Sequence, residues 1–218
     1  MASDPRQPII YGIIGLGVLM LGGIIWAVLF LPTASPSAGT FDANASFDDA
    51  NDPVSGASDA SVTIRIFEDF ECSACRVASE GVSHVREKYA DKVKIVWNDF
   101  PLDGHPNARI AANAARCAEE QGKFWEYGDA LYASQESWVL MSDPSEAFVS
   151  IAQQLGLIGQ TFAPCLSERR YDAKIAADMK EAIANRVDAT PTFFVNKERI
   201  VGAQTPEQWD EYLAKLLK

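Results

Sequence analysis

Cys72 and Cys75, three positions apart, are the residues of this chain best suited to do chemistry. A thiolate is both a nucleophile and a metal ligand, so a C-x-x-C pair has three uses. It can open and close as a redox disulfide, supply half of a zinc or iron–sulfur site, or serve as a short structural bridge. A zinc site needs four ligands, and His84, His105, Cys117 and Cys165 stand at no finger-like spacing from the pair. The flanking sequence favours redox exchange. Val62-Thr63-Ile64-Arg65-Ile66-Phe67 reads as a buried strand. A helical pattern follows the cysteines, with Val77, Val82, Val85 and Tyr89 as inward positions. Cys72 therefore falls where a strand stops and a helix starts. Unpaired N–H groups and the helix dipole favour negative charge at that point. The first thiol is thereby acidified to attack, and the second, one turn later, is placed to resolve.

The surrounding elements can be read in order. A second strand is expected at Val93–Trp97, and helices over about 106–187, broken near Ser134–Pro144 and Gly156–Gly159. Thr190-Pro191-Thr192 then precedes a strand at Phe193–Val195. Asn196-Lys197 turns into Arg199–Val201, and Thr205 suits the N-cap of a last helix with Pro206 at its first position.

Strand, C-x-x-C, helix, strand, helical insertion, Thr-Pro, hairpin and helix together resemble the thioredoxin fold. More narrowly, the order resembles the DsbA-like thiol–disulfide oxidoreductases. That match runs through Asp99-Phe100-Pro101-Leu102, His105-Pro106-Asn107-Ala108, Ala111-Ala112, Cys117-Ala118 and Gln121-Gly122-Lys123-Phe124-Trp125. It covers about residues 61–217. The fold class expected is α/β, a thioredoxin fold with a helical insertion, preceded by one transmembrane helix. The resemblance implies Cys72 as nucleophile, Cys75 as resolving thiol, a cis Pro191 beside them, and Thr190 as a backbone partner for extended substrates. It implies no cofactor beyond the Cys72–Cys75 disulfide and no metal.

Two departures bear on the chemistry. Ile66 stands where many thioredoxin-fold enzymes keep a buried acid six residues before the first cysteine. Glu68 lies two residues on, on the same strand face, and is the candidate proton acceptor, with a solvated Glu68 as the alternative. Ser73 and Ala74 stand between the cysteines where the most oxidising relatives place Pro and His. A reduction potential less extreme than DsbA's is expected.

Cys117 shares a helical face with Ile110, Ala114 and Ala118; Cys165 lies with Phe162 and Leu166 on a short helix capped by Thr161. An oxidising compartment and an even cysteine count favour a structural Cys117–Cys165 disulfide, as in some DsbA-like relatives. Unpaired core cysteines are the alternative. His84 and His105 read as surface or packing residues, and Phe124, Trp125, Tyr127, Tyr132 and Trp138 as core.

The front of the chain differs in kind. Residues 1–8 form a short cytoplasmic terminus, and residues 9–31 run for 23 positions without a charge. As a helix that stretch spans about 34 Å, against about 30 Å of hydrocarbon. It reads as a signal anchor, the alternative being a cleaved signal peptide, whose apolar region is normally only about 7–15 residues long. Arg6 precedes it and the next basic residue is Arg65, which places the amino terminus inside and the catalytic domain on the periplasmic or extracellular face. Residues 32–60, rich in Ser, Ala and Asp, read as a flexible acidic linker, and 61–218 as the DsbA-like domain. The net charge of -11 argues against nucleic acid as a partner.

The expected function is extracytoplasmic dithiol oxidation of unfolded or partly folded exported proteins. A membrane redox partner of the DsbB or VKOR type would restore the disulfide. A reductase or isomerase of the same fold is the near alternative; a tethered chaperone or binding module without turnover is the distant one.

Overall fold

The computed structural model describes residues 45–49 and 51–218, together with Leu19, Met20, Gly22, Gly23 and Trp26, which are helical. Most of the 9–31 stretch expected to be an anchor, and residues 32–44 of the expected linker, lie outside the described residues. Among the described residues no helix is long and apolar enough to cross a membrane.

The sheet is built from β1 (Val54–Gly56), β2 (Val62–Glu68), β3 (Val93–Asp99), β4 (Thr192–Val195) and β5 (Glu198–Val201), in the order β1-β3-β2-β4-β5. β2 and β3 are parallel and the other three pairings antiparallel. The parallel pair requires a crossover, which is α1 (Ser73–Lys88). The remaining helices are α2 (Ala108–Glu119), α3 (Phe124–Ala133), α4 (Gln135–Trp138), α5 (Ser145–Gln154), α6 (Gly159–Ser167), α7 (Asp172–Ala184) and α8 (Pro206–Leu216). α8 opens with the capping box expected at Thr205, whose hydroxyl accepts from Gln208 N.

Side chains alternate across β2. Ile64 and Ile66 join the larger core under α1, α8 and the inserted helices; Phe67 joins a smaller cluster with Phe194, Phe100 and Ala182 of α7 on the other face. Ile66 registers between Trp97 and Phe193, so the strand leading to the cysteines is buried on both sides. Gly81 lets α1 approach closely, since a Cβ there would collide with the Gln204 carbonyl and press on the Trp209 ring. In the insertion Cys117 of α2 is bonded to Cys165 of α6, 48 positions away, with Cα atoms 5.8 Å apart.

Three expectations need correction. The segment 32–60 was expected to be a free linker, yet its described part is docked. β1 pairs with β3, and Phe47 packs on Phe67 and Phe194, with the Arg65 guanidinium over its ring at 4.1 Å. Low apolar content argues against folding only when nothing else holds a segment. Here Asp49 pairs with Arg65 and Lys94, and Asp52 with Arg116 and Lys174. Val77, expected to face inward, is exposed, because α1 buries the stripe through Cys75, Ala78, Gly81, Val82 and Val85. Thr161 does not cap α6: the helix starts two residues earlier, with Ile158 at the N-cap.

Candidate active site

Cys72 is the N-cap residue of α1, in extended backbone conformation, and Cys75 lies in its first turn. Cys72 is 8% exposed and Cys75 fully buried; both are free thiols in this structure. Position alone thus leaves Cys72 slightly exposed and hides Cys75 completely. The Thr190–Pro191 peptide is cis, and the Thr190 carbonyl accepts a long hydrogen bond from Cys72 Sγ at 3.7 Å. The tip between α7 and β4 therefore meets the tip between β2 and α1. Residues 118 positions apart share one site.

The two thiols are driven apart electrostatically. Hydrogen bonding from Cys75 lowers the Cys72 pKa to about 5, against the cost of burial; the Thr190 side chain and the N–H groups of Cys75 and Ala74 assist. Those amide donors are the open first turn of the helix. Burial, and then the bond to Cys72, push Cys75 well above the usual thiol range. A low-pKa thiolate beside a neutral thiol is the reactive arrangement of a C-x-x-C pair.

Glu68 is buried at the end of β2, on the Ile64 and Ile66 face that meets α1. Tyr132 of α3 donates to its Oε2 at 2.8 Å, while Oε1 has no partner. Burial raises its pKa to about 8, beyond what the tyrosine bond restores, and a charge on Cys72 raises it further. Glu68 in turn raises Cys75. Glu68 is thus a group that changes protonation near neutrality and feels the state of both cysteines.

Asp69, His105 and Gln135 hold the turn, a role that the sequence reading assigned to none of them. The Asp69 carboxylate accepts from Glu71 N at 2.8 Å, from Leu102 N at 2.9 Å, and bonds His105 Nδ1 at 2.6 Å. His105, expected at the surface or in packing, is half-buried against this acid. Burial lowers the His105 pKa, but the bond to Asp69 outweighs it and the net shift is upward. Gln135 of α4 donates to the carbonyls of Phe70 and Cys72. Acidic neighbours of C-x-x-C are visible in a sequence; which imidazole or amide answers them is set by tertiary contacts. His84, by contrast, pairs with Asp210, and Cys117 and Cys165 lie bonded in the insertion. Phe124, Tyr127, Tyr132 and Trp138 are buried core residues, as expected, whereas Trp125 is only partly buried and donates its indole N–H to the Val54 carbonyl at 3.3 Å.

A family model described as thioredoxin matches residues 48–215. The Na(+)/H(+) antiporter NhaA 3 of Salinispora tropica is 38% identical over 164 residues, 75% of this chain and 24% of that protein. The chain spans about a quarter of the length of the curated relatives it matches. Among solved structures, α-DsbA1 of Wolbachia pipientis superposes with a TM-score of 0.68 at 24% identity, covering 77% of this chain and 91% of that one. BdbD of Bacillus subtilis, in its oxidised form, gives 0.66 at 20% identity, covering 82% and 96%. At these identities the likeness is one of fold.

Proposed function

The chain belongs to the thioredoxin family, and from that premise we propose that it is a protein thiol–disulfide oxidoreductase that introduces disulfides into exported proteins. The observation that carries this reading is the split between a Cys72 thiolate held near pKa 5 and a buried Cys75 pushed well above the usual range. A stabilised thiolate favours the dithiol form of the pair, which makes the disulfide form an oxidant.

The exchange balances as follows. A substrate thiolate attacks Cys72 Sγ of the oxidised pair; the Cys72–Cys75 bond breaks, and the electron pair leaves on Cys75. Cys75 takes up a proton, which Glu68 supplies in its neutral form. A second substrate thiolate then attacks the substrate sulfur of the mixed disulfide and releases Cys72 as a thiolate, the better leaving group for its low pKa. Two electrons have moved from the substrate dithiol to the cysteine pair. Thr190 and the cis Pro191 border the sulfur that forms the mixed disulfide, where an extended substrate segment can pair with backbone.

The uncharged stretch 9–31 would anchor the protein with this domain on the extracytoplasmic face, and a membrane oxidase of the DsbB or VKOR type would reoxidise it. The transport named for the antiporter relatives is not part of this proposal. The test is trapping with Cys75→Ala, whose Cys72 thiolate attacks the disulfide of an oxidised substrate and expels a substrate thiolate, the reverse of the last step above; the mixed disulfide is then left unresolved by any second thiol of the enzyme. Covalent adducts with exported cysteine-containing proteins are expected, lost on reduction and lost in Cys72→Ser. A Cys75→Ala protein that traps nothing would defeat the reading and leave a binding role for the fold.

A further inference from the structure

The residues that fix the nucleophile-bearing turn come from the helical insertion as well as from the turn itself. Within the turn, Cys72 N donates to the Asp69 carbonyl at 3.1 Å, and Cys72 O accepts the first helical bond, from Arg76 N, at 3.1 Å. From outside comes Gln135, the first residue of α4, only 4% exposed. Its Nε2 donates to Phe70 O at 2.7 Å and to Cys72 O at 3.1 Å. The far end of α4 is tied back to the same turn. Asn107 Nδ2 donates to the carbonyls of Trp138, Val139 and Met141 at 3.4, 3.3 and 2.9 Å. Asn107 N donates to Glu71 Oε2 at 2.7 Å, one residue before Cys72. The turn, the loop before α2 and the short helix α4 thus form a closed ring of hydrogen bonds, and Gln135 is its direct link to the nucleophile.

We propose that Gln135 is a positioning residue that holds the Cys72 carbonyl, and with it the first turn of α1, chiefly when the cysteine pair is reduced. This rests on reading Cys72 and Cys75 as the exchanging pair. In the oxidised form the sulfur–sulfur bond closes a covalent ring around the same residues and restrains the turn by itself. In the dithiol form described here that restraint is absent, and the turn depends on its hydrogen bonds. An interaction that contributes equally to both redox forms leaves their equilibrium unmoved; one that favours the dithiol makes the disulfide more oxidising. Two buried carbonyls share the Gln135 amide; removing it takes from Phe70 O its donor and leaves Cys72 O with the Arg76 N bond alone.

The test compares the full-length wild type with Gln135→Met, which matches the side chain in length and lacks donors, and with Gln135→Ala as a second variant if the first folds poorly. Equilibration in glutathione buffers should show the variant displaced about tenfold toward its disulfide form, the worth of roughly one net hydrogen bond. Urea denaturation of separately prepared oxidised and reduced protein should show the reduced form losing more stability than the oxidised. Equal losses in both forms with an unmoved glutathione equilibrium would overturn the proposal and leave Gln135 as a support for α4 alone. A displacement toward the dithiol would overturn it too. The denaturation comparison needs no exchange activity. Failure of the oxidoreductase reading, seen as wild type that does not equilibrate with glutathione, is therefore distinguishable from failure of this one.

Discussion

Cys72 and Glu68 carry opposite pH signatures, so one set of measurements can separate them. The folded Cys72 pKa is depressed to about 5. Folded reduced protein has therefore lost a proton that the unfolded chain keeps up to its ordinary thiol pKa, about 8.5. Its stability rises as pH climbs between those values and is lost as pH falls through about 5. Glu68 works the other way, because the folded state keeps a proton up to about 8 that the unfolded chain has released. Stability from this group falls as pH rises from its ordinary value toward 8. Of these two effects, oxidised protein contains only that of Glu68, and contributions common to both forms cancel in the difference. The reduced-minus-oxidised difference should therefore grow with pH in line with a thiolate absorbance midpoint near 5. A midpoint near 8 would remove the nucleophile assignment. A pKa between the roughly 3.5 of DsbA and roughly 7 of thioredoxin also points to a reduction potential between about -120 and -270 mV. In oxidised Glu68→Gln, the tyrosine bond can remain while the buried charge is gone. That variant should gain about 1–3 kcal/mol at pH 8, a gain vanishing toward pH 4.5, and its exchange should slow about tenfold near neutrality. Unchanged exchange would make Glu68 a bystander.

At the scale of elements, the Cys117–Cys165 bond ties α2 to α6, away from the Cys72 turn. Closing a loop of that length stabilises a fold by about 4 kcal/mol in the chain-entropy account. Replacing both residues with Ala should lower the melting temperature and spare turnover. Lost turnover in a still-folded double variant would instead argue for electron relay between the two pairs. The strands from Val62 onward, the helix after Cys75, the cap at Thr205 and the break near Gly156 were legible in the sequence, because each is written in local periodicity or in a turn residue. The interruptions at 120–123 and 168–171, and the short helix α4 inside the break expected at Ser134–Pro144, were not. Nor was the docking of residues 45–56. It depends on Arg116, fully buried on α2, which bonds Asp99 of β3 at 2.7 Å, Asp178 of α7 at 2.8 Å and Asp52 at 3.2 Å. An arginine among alanines on a helix reads as a solvated residue until its partners, tens of residues away, are known. His105 and Gln135 were overlooked for the same reason: their types are common, and only their tertiary partners give them a role. The strand face of Glu68 was legible, because alternation places it with Ile66, but its burial comes from the helix that covers that face and stood open in the sequence.

Across the whole molecule, charge and hydropathy are distributed in one direction. Residues 1–61 hold six acids and one base around an uncharged stretch, and the remainder carries 24 acids and 18 bases on an ordinary globular composition. An anchor in the uncharged stretch would confine the thiol pair to the same surface as a membrane partner. Confinement raises the effective concentration of that partner. It gives the pair a standing supply of either oxidant or reductant, whichever the partner provides. The chemistry of the site fits either direction of flow, since a thiolate near pKa 5 is both a good leaving group and a good nucleophile at neutral pH. Direction is therefore a property of the assembly and has to be read in the cell. Acid quenching followed by alkylation with a mass tag should find Cys72 and Cys75 mostly as the disulfide if a membrane oxidase maintains them. They should shift to the dithiol when that oxidase is removed. A pair found mostly reduced in untreated cells would reverse the assignment to a reductase or isomerase. The substrates trapped by Cys75→Ala would then carry wrongly paired disulfides, attacked by the Cys72 thiolate, rather than the native disulfides that an oxidase makes.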